Sequence, residues 1–349
     1  MLMETTSFIN RDLNYDELIT KEYISRRRNF VPHRFDGKVA IVTGGSAGIG
    51  RAIAEELMKE GCRVTITGRN PQTGAETVAE MAKEGLTEVM YLAGDMMSEE
   101  FCHEIAEKTY EKWGRIDYLV NNAFLFIMKG LDATTRDWER AFFTGPVGYA
   151  RMIQNCVPYM RKVGGGAVVN ISSISGRIAQ PHFWTYSMMK GAVNMLTKNA
   201  ALDLAHSNIR VNTLSPATIF TRVTTGELIT GTKEVRRKHM KSESHGYMLN
   251  RAGEPVECAS VALFLLSDDA TYVTGSDYLV DGGLIALGNQ GAVDKARRDM
   301  EVYGLDYRKA IILGRNSFDD LHDDDEPRHH KDDIEVVYNN PASVDNEEK

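Results

Sequence analysis

The chain has 349 residues, of which 42% are hydrophobic and 26% are charged. This composition is that of a globular protein and excludes a collagen, a coiled coil and a wholly disordered chain. The 41 basic and 49 acidic residues give a formal charge of −8. Proteins that bind nucleic acid or anionic membranes usually have the opposite balance, so neither is an expected partner.

The four cysteines lie far apart and show no Cys-x-x-Cys spacing: Cys62, Cys102, Cys156 and Cys258. This pattern is typical of reduced thiols and predicts neither a disulfide framework nor a zinc site. No apolar stretch has the length of a signal peptide or of a membrane-spanning helix. We therefore expect a soluble cytoplasmic protein.

Three stretches of the chain differ in composition. Residues 1–36 are charged and aromatic, and we interpret them as an N-terminal extension that either docks as an arm or frays. Residues 37–287 have the alternating pattern of a folded domain, and residues 288–349 form a polar, acidic tail. The tail contains His322, His329 and His330, but histidines without an ordered frame predict no specific metal site.

Seven short apolar runs within the central stretch predict β-strands. They lie at residues 39–42, 64–67, 89–92, 118–120, 167–171, 210–214 and 276–280. Helical patterns separate them, including one at residues 51–60 and a longer one at residues 186–205. Apolar strands that alternate with helices predict a parallel sheet covered on both faces, which is a single doubly wound α/β domain of the Rossmann type.

A glycine-rich segment follows the first strand and opens the first helix. Its sequence is Thr43-Gly44-Gly45-Ser46-Ala47-Gly48-Ile49-Gly50. Glycines let the backbone approach a pyrophosphate closely, and a helix N-terminus presents free N–H groups to it. This context predicts a dinucleotide site rather than a merely structural turn.

The residues after the second and third strands bear on the choice of cofactor. A carboxylate after the second strand would bind the adenosine ribose of NAD, but Gly68 stands there and Arg69 follows. Because the carboxylate is absent and the Arg69 guanidinium is adjacent, the pattern favours binding of the 2′-phosphate of NADP. The alternatives are that Arg69 stacks on adenine or faces solvent. Ala47, where a second basic residue could bind that phosphate, is not basic. Asp95, after the third strand, is placed to meet the adenine amino group.

Tyr186 and Lys190 are four residues apart in a helical segment, so they share one face of the helix. An ammonium beside a phenol stabilises the phenolate and lowers its pKa, which lets the tyrosine exchange a proton with an alcohol or ketone. The same spacing also occurs by chance on many solvated helix faces. Ser173, at the end of a predicted strand thirteen residues earlier, favours the catalytic interpretation.

Together these motifs resemble the short-chain dehydrogenase/reductase family. The glycine segment, Asn-Asn-Ala at 121–123, the Ser-Tyr-Lys set and Asp-Gly-Gly at 281–283 match that family in order and spacing across residues 37–287. The resemblance implies that Tyr186 is the general acid/base, that Ser173 holds the substrate oxygen, and that Lys190 binds the nicotinamide ribose and tunes Tyr186. It also implies a homotetramer. The residues that it implies for binding NAD(H) or NADP(H) include Gly44, Ser46, Ile49, Asn122 and Thr221.

Three positions depart from the family pattern. Gly145, followed by Pro146, stands where the family usually has an asparagine whose main-chain carbonyl holds a water leading to the lysine. Glycine keeps that carbonyl, so Gly145 stays among the predicted catalytic residues. Phe124 replaces the usual glycine after Asn-Asn-Ala, and Ala217 replaces the glycine after Pro216. We expect these changes to alter the shape of the pocket more than the chemistry.

Bulky apolar side chains dominate the loops where this fold binds substrate. Phe124, Phe126 and Trp184 are the candidate substrate contacts, although each is equally compatible with a place in the core or at an interface. We therefore expect a large hydrophobic secondary alcohol or ketone, with a steroid such as a 20β-hydroxysteroid as the first choice. A resemblance to bacterial hydroxysteroid dehydrogenases implies NAD(H), whereas Arg69 favours NADP(H).

Two other functions stay open at this point. The first is a 3-oxoacyl- or enoyl-thioester reductase, because a basic run could bind a phosphorylated carrier, although such runs are more often solvated helix faces. That run consists of Lys233, Arg236, Arg237, Lys238 and Lys241. The second is a catalytically silent, nucleotide-binding relative.

Overall fold

A computed structural model describes residues 31–221, 246–249, 251–288 and 291–292. Its sheet contains seven parallel strands in the order β3-β2-β1-β4-β5-β6-β7. The strands are β1 Val39–Val42, β2 Arg63–Gly68, β3 Val89–Ala93, β4 Tyr118–Asn121, β5 Gly166–Ile171, β6 Ile209–Pro216 and β7 Asp277–Val280. Every predicted strand is present, with bounds that differ by at most two residues.

Among the residues that the structure describes, seven α-helices connect these strands. They are α1 Gly48–Lys59, α2 Pro71–Lys83, α3 Glu99–Trp113, α4 Thr135–Thr144, α5 Pro146–Lys162, α6 Trp184–Leu204 and α7 Pro255–Leu266. The doubly wound, Rossmann-type fold is thereby confirmed. The predicted N-terminal extension up to residue 30 and the tail from residue 293 lie outside the described residues.

The side chains of the central strand divide the core into two halves. All four residues of β1 are buried, and Ala40 and Val42 pack in one hydrophobic cluster while Ile41 packs in the other. Successive side chains of a strand point to opposite faces of the sheet, so the continuous apolar run requires cover on both sides. Helices α1 and α7 contribute to the first cluster, and α3, α5 and α6 contribute to the second.

The core also includes a side chain from the predicted N-terminal extension. Phe35 is fully buried, and its ring meets the edge of Tyr118 at 5.5 Å between centroids. Arg34 pairs with the buried Glu60 at 2.6 Å. The domain boundary between residues 36 and 37 stays a prediction, and these contacts fix the chain before it to the sheet.

The order of the strands determines where a ligand can bind. The chain runs outward from β1 to β3 and then returns to the other side of β1 with β4. A crevice opens at such a reversal, outside the carboxyl ends of the strands. The glycine-rich segment follows β1 at this edge, Asn122 follows β4, and Ser173 lies two residues after β5.

Candidate active site

Four positions of the glycine-rich segment are suited only to glycine. Gly44 and Gly48 have positive φ angles of 65° and 55°. A Cβ on Gly45 would lie 2.6 Å from Ile66 Cγ2, and a Cβ on Gly50 would lie 2.5 Å from the Gly44 carbonyl oxygen. Glycine at these positions therefore lets the chain turn tightly and pack closely between β1 and α1.

The N-terminus of α1 has free hydrogen-bond donors at the same place. Its N-cap residue, Ala47, is extended and provides no side-chain cap, so the first backbone N–H groups are free to bind an anion. The Asn122 amide donates to the carbonyls of Thr43 at 3.0 Å and Gly44 at 3.1 Å, which fixes the turn to the end of β4. Thr221 lies against the turn, because a Cβ on Gly48 would be 3.2 Å from Thr221 Cγ2. These residues fit the pyrophosphate of a dinucleotide.

The remaining two residues of the turn have different surroundings. Ser46 is partly buried, and its hydroxyl lies beside Gly68 at the end of β2. Ile49 packs against the first hydrophobic cluster. Ser46 is thus available to a ligand at the adenosine end, whereas Ile49 anchors the helix N-terminus to the core.

A side chain at position 68 would meet two neighbouring side chains. A Cβ there would lie 2.8 Å from the Tyr91 hydroxyl oxygen and 2.9 Å from Ser46 Oγ. The Tyr91 hydroxyl donates to the Asn70 carbonyl at 2.7 Å, so it is fixed in place. A carboxylate at position 68 would therefore require Tyr91 to move, while the neighbouring Arg69 is exposed.

Asp95 lies at the same carboxyl edge of the sheet, after β3. It is exposed, and its Oδ1 accepts a hydrogen bond from the Met97 amide at 2.9 Å. A ligand placed along the turn would meet this carboxylate at its outer end.

The structure brings Ser173, Tyr186 and Lys190 together. Tyr186 and Lys190 lie one turn apart in α6, and the Ser173 hydroxyl, which donates to Ser175 Oγ at 3.2 Å, is near enough to Tyr186 to lower the pKa of its phenol. All three are buried, and Lys190 is entirely so. Lys190 Nζ donates to the Ile171 carbonyl at 2.9 Å. The end of β5 thus brings together the Tyr186 hydroxyl, which can donate a proton, the Ser173 hydroxyl, which can donate a hydrogen bond to the same substrate oxygen, and the amino group of Lys190.

Burial governs the protonation of this group. It raises the pKa of Tyr186 to about 12, so the lowered pKa expected from the neighbouring Lys190 is not found in this structure, although the nearby Ser173 hydroxyl acts in the lowering direction. It also lowers the pKa of Lys190 to about 7. Near neutral pH the phenol thus keeps its proton, and the charge of Lys190 responds to whatever binds beside it.

A buried polar ladder holds α6 against the sheet. Asn121 in β4 donates to Asn170 in β5 at 2.9 Å, and Asn170 donates to Thr197 in α6 at 2.9 Å. Thr213 in β6 donates to Thr197 at 2.8 Å. Because all four residues are buried, a shift of α6 would leave polar groups unpaired, which fixes the helix that carries Tyr186 and Lys190.

Three phenylalanine rings surround Tyr186. The centroids of Phe124, Phe126 and Phe183 lie 5.7, 4.8 and 6.1 Å from that of Tyr186. Trp184, a predicted substrate contact, is 52% exposed at the start of α6. Phe183 was not singled out from the sequence, although its position three residues before Tyr186 on the same helical face is a signal that could have found it.

Comparisons with known proteins agree with this geometry. A family model described as "Enoyl-(Acyl carrier protein) reductase" matches residues 44–285. A "Dehydrogenase/reductase SDR family member 4" of Caenorhabditis elegans is 34% identical over 255 residues, which cover 72% of this chain and 97% of the relative. The chain belongs to the short-chain dehydrogenase/reductase family. It is therefore an oxidoreductase of a family that uses NAD(H) or NADP(H), and the resemblance inferred from its motifs is confirmed.

Two further relatives of this dehydrogenase/reductase are similar over most of their length. A "7alpha-hydroxysteroid dehydrogenase" of Clostridium sardiniense is 38% identical over 261 residues, which cover 73% of this chain and 95% of the relative. An "NADP-dependent (R)-specific alcohol dehydrogenase" of Lentilactobacillus kefiri is 33% identical over 257 residues, which cover 72% and 98%.

Gly145, where the resemblance to this family implies an asparagine, has close neighbours on the side that a side chain would occupy. A Cβ there would lie 2.6 Å from Met189 Cγ and 2.9 Å from the Ala141 carbonyl oxygen. The Gly145 carbonyl accepts the Tyr149 amide at 2.9 Å as α5 begins. The fully buried Tyr149 also donates its hydroxyl to the Ile171 carbonyl at 3.3 Å, the same oxygen that holds Lys190. The sequence gives no signal for the role of Tyr149, because nothing in its neighbours along the chain indicates this contact.

A cavity of about 400 Å³ lies beyond the ends of β6 and β7. Its lining includes three residues of the described segment 246–249, namely Tyr247, Met248 and Leu249. The basic run at 233–241 lies outside the described residues. Within the described ranges no cluster of metal-ligating side chains occurs. A search of those same ranges finds no helix with the length and apolarity to cross a membrane.

Proposed function

We propose that this protein transfers a hydride between a nicotinamide cofactor and a bulky hydrophobic secondary alcohol or ketone. The observation that carries the proposal is the buried Ser173–Tyr186–Lys190 group beneath three phenylalanine rings. A proton donor in an apolar enclosure suits a substrate whose only polar group is the reacting oxygen.

In this proposal the chain's own residues handle the proton. The Tyr186 hydroxyl gives its proton to the substrate oxygen during reduction and takes it back during oxidation. The Ser173 hydroxyl donates a hydrogen bond to the same oxygen, and the Lys190 ammonium favours the phenolate that Tyr186 leaves. The bound nicotinamide supplies or accepts the hydride. The turn at Gly44–Gly50 would hold its pyrophosphate, and Lys190 would hold its ribose.

A steroid is the substrate that we favour. The rings of Phe124 and Phe126 offer an apolar wall beside Tyr186, and a relative 38% identical is named a 7alpha-hydroxysteroid dehydrogenase. An enoyl- or 3-oxoacyl-thioester reductase is the second candidate, because the matching family model is described as an enoyl reductase.

The cofactor in this proposal is NADP(H). Gly68 lacks the carboxylate that selects NAD, and the exposed Arg69 makes no ion pair with the part of the chain that the structure describes. A 2′-phosphate placed beside Ser46 would give that guanidinium a partner.

The test is turnover of a panel of steroids and other bulky ketones with NADPH and NADH side by side. We expect reduction of at least one steroid, with kcat/KM higher for NADPH by about tenfold or more, since a hydrogen bond to a charged group contributes about 1.5–3 kcal/mol. A higher rate with an acyl thioester than with every ketone would favour the second candidate. Equal rates with both nucleotides would refute the cofactor assignment.

Two variants sharpen the cofactor measurement. Arg69→Gln should raise KM for NADPH and leave KM for NADH unchanged, because only the former has a phosphate for the guanidinium. Lys83→Gln removes a surface cation at the far end of α2 and is the matched control. If both variants alter KM for NADPH alike, the effect is one of overall charge and not of a contact at Arg69.

We also propose a homotetramer, and α6 supplies the supporting observation. Met188, Met195 and Leu202 recur at seven-residue spacing and are 54, 55 and 77% exposed, so they form an apolar stripe on the side away from the sheet. Burial of this stripe against another copy would remove it from water. Light scattering should give the mass of four chains, and a monomer at micromolar concentration would contradict the proposal.

A further inference from the structure

The ammonium of Lys190 has an aromatic neighbour that its proposed role does not require. Its Nζ lies 3.8 Å from the centroid of the Phe124 ring, which is a close cation–π contact. Within the described chain, its one hydrogen bond goes to the Ile171 carbonyl, although an ammonium has three donors. The ring is therefore a second contact of the ammonium, beside the Ile171 carbonyl.

The two ends of the nucleotide crevice differ in access. At the adenosine end, Arg69, Asp95 and Ala47 are exposed. At the other end Lys190 is fully buried, with Phe124 against its ammonium. A ribose hydroxyl that accepts a hydrogen bond needs its oxygen about 3 Å from Nζ, and because Lys190 has no exposed surface, that oxygen can approach only if a neighbouring group such as the Phe124 ring moves.

We propose that Phe124 is a positioning residue for Lys190, whose ring holds the ammonium and is exchanged for the nicotinamide ribose when the dinucleotide binds. The inference rests on the proposed function, because it requires Lys190 to contact that ribose. The exchange costs binding free energy, since a cation–π contact out of water is lost. This cost applies to the nicotinamide half of the cofactor and not to the adenosine half, which binds at the open end.

Titration calorimetry with whole and half cofactors tests the proposal. The probes are NADPH and NADH, with 2′,5′-ADP and ADP as the corresponding adenosine halves. Phe124→Leu keeps an apolar side chain but has no ring, so it should bind the whole dinucleotide at least about twofold more tightly than the wild-type protein. The affinity of each half should stay the same. Phe124→Ala should show the same split.

The matched control is Phe126→Leu. Phe126 contacts Tyr186 at 4.8 Å between centroids, but it forms no cation–π contact with Lys190 among the described residues. We expect this variant to bind whole and half cofactors as the wild-type protein does. A general loosening of the aromatic enclosure would instead move both variants together and would overturn the proposal.

The remaining outcomes separate this inference from the proposed function. If the wild-type protein binds whole and half cofactors but both Phe124 variants do so with unchanged affinities, the positioning role is wrong and the proposed function stands. A parallel change in the affinities for whole and half cofactors would also refute the role. If the wild-type protein binds no dinucleotide, both the inference and the proposed function are wrong.

Discussion

Replacement of Tyr186 by phenylalanine is expected to lower kcat by about 10²–10⁴-fold, which is the usual contribution of a positioned general acid or base. The substitution removes one oxygen and leaves the ring, so the contacts with Phe124, Phe126 and Phe183 remain. Because burial raises the pKa of Tyr186 to about 12, the hydroxyl is protonated at neutral pH and ready to donate. Without it, a developing alkoxide in this apolar enclosure has no proton source.

Nucleotide affinity should change little in the same variant. The turn at Gly44–Gly50 and Lys190, which would hold the cofactor, are untouched by the loss of the Tyr186 hydroxyl. We would measure kcat and KM with the best ketone of the panel, and the dissociation constant of NADPH by calorimetry. Tyr110→Phe is the matched control, because Tyr110 lies in α3, where it packs against the second hydrophobic cluster and the ring of Tyr159.

A silent nucleotide-binding relative would give a different result. Such a protein would show no turnover before the substitution, and its nucleotide affinity would be the same with tyrosine or phenylalanine at position 186. A Tyr186→Phe variant that keeps more than about a tenth of the wild-type kcat would show that another group supplies the proton, since this loss is below the range of general acid–base catalysis.

The sequence predicted the framework of the fold because its signals are local. Each strand is a short apolar run between helices, so periodicity alone located it. The pattern predicted helix α1 from residue 51, but the helix begins at Gly48. The prediction began too late because two glycines, which lower helix propensity, stand in the first turn and no side chain caps it. The part of the helix that faces the proposed phosphate was therefore missed.

The immediate surroundings of Tyr186 and Lys190 were only partly predictable. Ser173, Tyr186 and Lys190 have a motif with fixed spacing, and the structure places them together. The contact of Phe124 with Lys190 and that of Tyr149 with the Ile171 carbonyl join residues that are 66 and 22 positions apart. No pattern along the chain encodes such contacts, because they depend on how loops and helices pack across the sheet.

Substitution of Gly145 by alanine is expected to destabilise the protein by about 1–3 kcal/mol, the usual cost of an extra methyl group in a packed interior. The new Cβ would lie 2.6 Å from Met189 Cγ, 2.7 Å from its sulfur and 2.9 Å from the Ala141 carbonyl oxygen. Met189 is flexible but fully buried and adjacent to Lys190, and the carbonyl belongs to the last turns of α4. Urea unfolding would measure the loss.

Gly191→Ala is the matched control for this substitution. Gly191 lies in α6 two residues after Met189, and a Cβ there would come no closer than 3.8 Å to the Gly176 carbonyl oxygen. Alanine within a helix should stabilise the protein by about 0.5–1 kcal/mol relative to glycine. If the Gly145 and Gly191 variants unfold at the same urea concentration, the enclosure of Gly145 does not restrict the side chain at that position.

A double-mutant cycle shows which neighbour makes Gly145 necessary. Met189→Ala alone should cost about 2–5 kcal/mol through the cavity that it leaves. If Met189 is the obstacle, the double variant should lose less unfolding free energy than the two single variants together, by about 0.5–3 kcal/mol. The reason is that the new methyl group enters the cavity left by Met189. Additive losses would identify the fixed Ala141 carbonyl instead. A positive coupling would mean that Gly145 and Met189, the methionine beside Lys190, depend on each other, so that a larger residue at position 145 requires a smaller one at position 189.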